Sequence, residues 1–106
     1  MRILILGAGK MGSFFVDLLN FDHETAVYDV DPRRLRFMYN TLRFTSLEEI
    51  ADFRPELVIN AVTLKHTLSV FNEVMPHLPA DCILSDIASV KTGFQEFYEG
   101  CGFRYV

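Results

Sequence analysis

The segment that most constrains the fold is Gly7–Gly12 (GAGKMG), which directly follows the apolar run Ile3–Leu6. A short apolar run that ends at a glycine is typical of a buried parallel strand. Beyond the first glycines, apolar residues recur at the spacing of one helical face, and these are Met11, Phe14, Phe15, Leu18 and Leu19. The segment therefore predicts a strand, a tight turn and a helix that packs back against the strand.

The same alternation continues to the end of the chain. Apolar runs with the composition of strands are Ile3–Leu6, Thr25–Val30, Leu42–Thr45, Leu57–Val62, Cys82–Ile87 and Phe103–Val106. Helical faces between the later strands comprise Leu35, Met38, Tyr39 and Leu42, then Leu64, Leu68, Phe71, Met75 and Leu78, then Val90, Phe94, Phe97 and Tyr98. Asp31 and Ser46 stand where helix N-caps are expected, and Glu49 completes a capping box with Ser46.

Strands that alternate with helices predict a parallel sheet with right-handed crossovers. At 106 residues the chain is long enough for one domain and no more. We therefore expect residues 1–106 to form a single α/β domain, a Rossmann-type doubly wound parallel sheet.

Composition excludes several classes of function. The net charge is −4 and the pI is about 5.2, which argues against a nucleic-acid or polybasic membrane surface. No apolar stretch approaches the length of a bilayer span. Cys82 and Cys101 form neither a metal motif nor a disulfide framework, so no metal is expected. Because the sequence shows neither a signal peptide nor a bilayer span, the cytoplasm is the default expected location.

The glycine segment also has the spacing of a dinucleotide-binding loop, GxGxxG between a strand and a helix. In such loops the first glycine permits the turn, the second admits the pyrophosphate and the third allows close helix–strand packing. This predicts that NAD is the cofactor, with its pyrophosphate on Gly7, Gly9, Lys10, Met11 and Gly12.

An acidic residue and a second strand end complete the predicted cofactor site. Asp29 lies about 20 positions beyond Gly9, where a carboxylate binds the ribose hydroxyls of NAD and repels the 2′-phosphate of NADP. Arg33 and Arg34 are counter-evidence, because either can reach a 2′-phosphate, although a solvated helix face is the commoner role for such charges. Further predicted contacts are Val30, beside Asp29, and Ala61, Val62 and Thr63, whose strand end lets the cofactor lie close.

The end of the fifth predicted strand carries the segment Ser85–Lys91 (SDIASVK). Ser89 is placed to cap the following helix, and its hydroxyl is also placed to face a nicotinamide ring or a substrate. Of the histidines, only His66, near a predicted helix start, is placed close to the site, and an exposed side chain is its commoner role. A complete catalytic constellation is not visible in the sequence.

Together the glycine loop, Val27–Asp29, Asn60–Val62 and above all Ser85–Thr92 resemble prephenate dehydrogenase over essentially the whole chain, as that family's N-terminal nucleotide-binding domain. The resemblance implies NAD-dependent oxidative decarboxylation of prephenate to 4-hydroxyphenylpyruvate in tyrosine biosynthesis, with Ser89 as the active-site serine. The family's catalytic histidine and its helical dimerisation domain would lie beyond residue 106. We therefore expect a fragment of a longer, homodimeric dehydrogenase that is inactive by itself.

Other functions fit the same residues. A different β-hydroxyacid-type dehydrogenase or a pyrroline-carboxylate-type reductase would share the loop and the strand pattern. A nucleotide-sensing regulatory module would share the first half, but such modules usually carry Gly-Asp-Ala-Thr where this chain has Phe44–Leu47. A Rossmann-like domain without any ligand is the third alternative.

Overall fold

The computed structural model describes residues 1–62, 66–87 and 94–106. Its strands are β1 (Arg2–Leu6), β2 (Glu24–Tyr28), β3 (Leu42–Phe44), β4 (Leu57–Asn60), β5 (Ile83–Asp86) and β6 (Arg104–Tyr105). Its helices are α1 (Lys10–Leu19), α2 (Pro32–Leu35), α3 (Leu47–Phe53), α4 (Thr67–Val74) and α5 (Phe94–Gly100), with a 3-10 turn at Met75–His77.

The strands described form one parallel sheet in the order β3-β2-β1-β4-β5-β6. This order is that of the doubly wound dinucleotide-binding fold, so the predicted fold class is confirmed. The chain first builds outward from β1 to β3 and then returns to the other side of β1 at β4. The strand order thus reverses between β1 and β4, and a crevice opens above their carboxyl ends.

Helices cover both faces of the sheet. On one face, side chains of β1 and β2 pack against α1 and α2 in a cluster that contains Ile3, Ile5, Val16, Val27 and Leu35. On the other face they pack against α3, α4 and α5, in a cluster that contains Leu4, Leu6, Ile50, Phe71 and Tyr98. Because both faces are covered, β1 is apolar at successive positions, and Ile3–Leu6 are at most 1% exposed.

Local signals fixed the starts of two helices as predicted. The Asp31 carboxylate accepts a hydrogen bond from the Arg33 amide at 3.0 Å, with Pro32 in the first turn of α2. Ser46 and Glu49 form the reciprocal capping box at the start of α3. These caps satisfy amides that the helices themselves leave without partners.

The predicted core face of α1 is partly wrong. Met11, Phe14 and Leu18 are 45%, 53% and 60% exposed, whereas Gly12 and Val16 are buried. The helix lies too close to the sheet for large side chains at its line of nearest approach, so glycine and valine occupy that line. The large apolar residues consequently face outward or pack at the flanks, as Phe15 and Leu19 do.

The second predicted helix is also shorter than expected. It ends at Leu35, and Asn40 adopts a left-handed conformation with φ of 59° before β3 begins. Met38 is still buried, but Tyr39 and Leu42 are 71% and 52% exposed. The helical spacing thus continued through a segment whose backbone is not helical.

Within the three described ranges, no helix combines the length and apolar character needed to cross a membrane.

Candidate functional site

A cleft of about 680 Å³ lies above the carboxyl ends of the central strands, where the strand order reverses. Its walls come from the β1–α1 loop, the end of β2, the start of α2, the end of β4 and one side of α4. The lining residues are Gly7, Gly9, Lys10, Met11, Tyr28, Asp29, Val30, Arg34, Ala61, Val62, His66, Ser69, Val70, Glu73 and Ile87. Most of the cofactor contacts predicted from the sequence therefore line a single cleft.

The first and third glycines of the loop are required by the protein itself. Gly7 has a φ of +99°, which L side chains rarely adopt, and a Cβ there would lie 3.0 Å from Cγ1 of Val62. A Cβ on Gly12 would lie 2.0 Å from the Gly7 carbonyl oxygen. The loop can hold this close turn against α1 only with glycine at both positions.

The second glycine is not required by the surrounding protein. Gly9 has an extended backbone, with φ of −89° and ψ of −163°. Among the described residues, a Cβ on Gly9 would meet only the flexible end of a long side chain, Nη2 of Arg34 at 3.1 Å. Gly9 is also the N-cap of α1, and no side-chain hydrogen bond caps this helix. The backbone at the positive end of this ten-residue helix is thus approached by an arginine side chain that a ligand can displace.

The carboxylate of Asp29 is buried and already makes hydrogen bonds within the protein. Its Oδ2 accepts from the Ala8 amide at 3.0 Å and its Oδ1 from the Asp31 amide at 2.9 Å. Nη1 of Arg34 lies 3.5 Å from Oδ2. Asp29 therefore ties the glycine loop to the end of β2, in addition to lining the cleft.

The two neighbouring arginines, which the sequence did not distinguish, have different positions. Arg33 pairs with Asp31 at 3.2 Å, and its side chain is 82% exposed. This pairing holds the pKa of Asp31 below its usual value, chiefly through the hydrogen bond from Arg33. Arg34 instead points into the cleft beside Asp29. Only the second arginine is thus placed to meet a ligand of this cleft.

The end of β4 is shaped by Asn60, which is fully buried. Its Nδ2 donates to the Thr67 carbonyl oxygen at 2.9 Å, and its Oδ1 accepts from the Val62 amide at 3.2 Å. These bonds fix the strand end against α4, and they place Ala61 and Val62 at the cleft. Thr63, also predicted as a cofactor contact, lies outside the described residues.

The predicted catalytic serine, Ser89, likewise lies outside the described residues. On the strand before it, Asp86 accepts a short hydrogen bond from the hydroxyl of Tyr98, which joins β5 to α5. Burial, and next the hydrogen bond to Asp86, raise the pKa of Tyr98. Asp86 thus anchors the strand end that precedes the SVK segment.

Sequence reasoning missed a polar pair in the cleft. The Tyr28 hydroxyl donates to Oε1 of Glu73 at 2.9 Å. Burial, and next this hydrogen bond, raise the pKa of Tyr28 to about 12. Since the two residues are 45 positions apart, no local spacing signals their contact. His66, singled out by its position, does line the cleft.

The fold and the cleft define a class of protein, the Rossmann-type α/β domains whose glycine loop opens on the switch point of the sheet. No protein-family model matches the sequence, and no curated protein matches it.

Particular solved structures do match the fold. Prephenate dehydrogenase from Aquifex aeolicus aligns with a TM-score of 0.84 and 23% identity, over 97% of this chain and 40% of that one. Its complex with hydroxyphenyl propionate and NAD+ gives 0.74 and 23%, over 85% and 34%. Imine reductase from Myxococcus stipitatus in complex with NADP+ gives 0.81 and 15%, over 99% and 39%. At these identities the likeness shows the fold, and the chain spans 34% to 40% of the length of the chains in these three structures.

Proposed function

We propose that this chain binds a nicotinamide dinucleotide and forms the NAD-binding part of a dehydrogenase. The observation that carries the proposal is the accessible backbone of Gly9 at the start of α1, which among the described residues is approached only by the flexible end of Arg34, inside a cleft at the switch point. A glycine that the protein does not itself require is explained by a ligand that approaches the backbone. The NAD+ and NADP+ in two of the matched structures support the same assignment.

The residues of the cleft fit the parts of the dinucleotide. The amides of Lys10 and Met11 and the positive end of α1 bind the pyrophosphate; Gly9 allows its approach, and Gly7 and Gly12 hold the loop close against α1. Asp29 accepts hydrogen bonds from the adenosine ribose, and Val30, Ala61, Val62 and Thr63 pack against the cofactor. Bound NAD supplies a hydride acceptor, while this chain binds and orients it.

Asp29 is expected to favour NAD over NADP, because its carboxylate would lie against the 2′-phosphate. We expect NADP to bind at least about 10-fold more weakly than NAD, since like charges brought together cost several kcal/mol. Asp29→Asn, which keeps the side-chain shape and one acceptor oxygen, should shrink this preference. Isothermal titration of the unmodified chain and of Asp29→Asn with NAD and with NADP measures this preference.

The neighbouring arginines provide a matched control for this experiment. Arg34→Ala should lower NADP affinity more than NAD affinity, because Arg34 lines the cleft beside Asp29 and Gly9, where both dinucleotides carry the pyrophosphate but only NADP adds a 2′-phosphate. Arg33→Ala removes the same charge from the solvent-exposed side and should change neither affinity by more than about twofold. Tighter binding of NADP than of NAD by the unmodified chain would contradict the role given to Asp29.

For the reaction, we propose oxidative decarboxylation of prephenate. The SDIASVKT segment and the fold shared with Aquifex aeolicus prephenate dehydrogenase support this substrate. In the longer protein to which we assign this chain, Ser89 orients the reacting hydroxyl of the substrate.

This proposal has a kinetic test. The proposed longer protein, which adds the family's catalytic histidine and helical domain to this chain, should reduce NAD with prephenate. In that protein, Ser89→Ala should lower kcat more than it weakens NAD binding. The chain alone should bind NAD without useful turnover, because the resemblance places the catalytic histidine outside these 106 residues. A general base of this kind typically contributes about 10² to 10⁴ in rate. Absorbance of reduced nicotinamide measures both, and vigorous turnover by the chain alone would contradict the proposal.

A reductase or another dehydrogenase is the second candidate function. The TM-score of 0.81 to an imine reductase is comparable to that of 0.84 to prephenate dehydrogenase, so the fold by itself favours neither. The same assay with arogenate, β-hydroxyacids and cyclic imines separates them. Activity on a β-hydroxyacid alone would remove the prephenate assignment and keep the dinucleotide site.

A further inference from the structure

The pair formed by Tyr28 and Glu73 lies in the cleft but has no part in the functions assigned above. Tyr28 is the last residue of β2, directly before Asp29, and Glu73 lies in the last turn of α4. Both line the cleft. A carboxylate in a binding cleft is an acceptor without a donor of its own, so it selects ligand groups that carry N–H or O–H.

Apolar side chains line the same cleft as this pair. Val30 is 70% exposed and directly follows Asp29. Val62 and Val70 are partly buried and line the cleft from β4 and α4. Such walls suit a flat, largely apolar ring whose edge carries a polar group.

The order of groups along the proposed dinucleotide also brings its base to the Tyr28–Glu73 pair. With the pyrophosphate on the glycine loop and the ribose at Asp29, the base is the next group along the ligand. Tyr28 directly precedes Asp29 and is hydrogen-bonded to Glu73, and Val30 directly follows Asp29; all four residues line the same cleft. The groups adjacent to the proposed ribose site are therefore a valine side chain and a carboxylate held by a tyrosine.

We propose that Glu73 selects adenine by accepting a hydrogen bond from its exocyclic amine, with Tyr28 as the residue that positions the carboxylate. This inference rests on the proposed dinucleotide function and deepens it. Adenine presents an N–H donor at this edge, whereas guanine and hypoxanthine present a carbonyl oxygen there. A carboxylate attracts the first and repels the second.

The bond from Tyr28 explains why the carboxylate is fixed although Glu73 is exposed. The hydroxyl donates to Oε1, and a carboxylate keeps further acceptor sites on both oxygens. Because the pKa of Tyr28 is raised to about 12, this donor stays protonated throughout the physiological range. An exposed glutamate without such a partner would lose more rotamer freedom on binding.

The test compares NAD with nicotinamide hypoxanthine dinucleotide, in which a carbonyl oxygen replaces the exocyclic amine. The unmodified chain should bind the hypoxanthine analogue about 10-fold or more weakly, since hydrogen bonds to charged groups are among the stronger ones. Glu73→Gln should narrow the difference to about threefold or less, because an amide can donate to the carbonyl oxygen. Titration calorimetry measures all four affinities.

The matched control is Glu48→Gln on α3, which makes the same charge change at an exposed site that is not among the cleft-lining residues. It should leave the preference for NAD unchanged. Tyr28→Phe should weaken NAD binding a few-fold and keep the preference, because the carboxylate remains but is less fixed. Circular dichroism and thermal melting verify that each variant is folded.

The outcomes separate the two proposals. If NAD and the hypoxanthine analogue bind with equal affinity, or if Glu73→Gln keeps the full preference, the selection of adenine by Glu73 is wrong and the dinucleotide site stands. If neither dinucleotide binds to the folded chain, the proposed function fails, and this inference fails with it.

Discussion

Replacing Gly9 with valine should abolish dinucleotide binding and leave the domain folded. The backbone at Gly9 is extended, so it accepts a β-branched residue, and among the described residues the added Cβ would meet only the guanidinium of Arg34 within 4 Å. Valine is a poorer helix N-cap than glycine, so we expect a stability loss of up to about 1 kcal/mol, which is too small to unfold the domain. The side chain would fill the space that the pyrophosphate needs, and affinity for NAD should fall by more than about 100-fold, or 2.7 kcal/mol.

Calorimetric titration with NAD and thermal unfolding measure the two effects separately. Gly100→Val is the matched control, because a Cβ at Gly100 meets no described residue within 4 Å and Gly100 is not among the described residues that line the cleft. It should leave NAD affinity unchanged. If Gly9→Val binds NAD as tightly as the unmodified chain, the phosphates do not lie on this loop and the proposed site is wrong.

Replacing Gly12 with alanine should, unlike Gly9→Val, lower the stability of the domain, and NAD binding should be lost as a consequence. The new methyl group would lie 2.0 Å from the backbone oxygen of Gly7, so α1 must move away from the loop. Such overpacking typically costs about 1–3 kcal/mol, occasionally more. Because the contact is with a backbone oxygen, we expect the top of this range, and after the helix-propensity gain of about 1 kcal/mol from glycine to alanine a net loss of about 2 kcal/mol remains.

Chemical and thermal unfolding, monitored by far-ultraviolet circular dichroism, measure this loss of stability. A net loss of about 2 kcal/mol would lower the melting temperature by roughly 10 °C in a domain of this size. Gly100→Ala adds the same methyl group where there is open space and should not lower the melting temperature. An unchanged or higher melting temperature for Gly12→Ala would show that α1 can move without cost, and that the close packing is not needed.

Much of the fold could be predicted because its signals are local. The apolar runs, the caps at Asp31 and Ser46 and the glycine loop each act on neighbouring residues, and the described elements follow them closely. The parallel sheet follows because alternating strands and helices can bury their apolar faces in few other ways. Strand ends were placed less accurately: Thr25–Val30 was predicted where β2 is Glu24–Tyr28, because an apolar run does not mark the residue at which strand pairing stops.

The site was predicted in its position along the chain and only partly in its contacts. The loop, Asp29 and Val62 meet in one cleft because parallel strands bring their carboxyl ends to the same edge. Sequence alone could not separate Arg33 from Arg34, since adjacent residues on a helix differ by about 100° in direction. Which of them faces the cleft depends on how the short helix α2 docks against the glycine loop.

The sequence by itself thus determined the order of elements, the class of fold and the edge of the sheet at which a ligand would bind. Tertiary structure alone decided which stripe of α1 is buried, because the closeness of helix and sheet selects Gly12 and Val16 over larger residues. It also decided the pairing of Tyr28 with Glu73, since a contact across 45 positions exists only after β2 and α4 have docked. The local residue pattern determines the secondary structure that each segment favours. The distances and contacts between segments are determined by how their side chains pack.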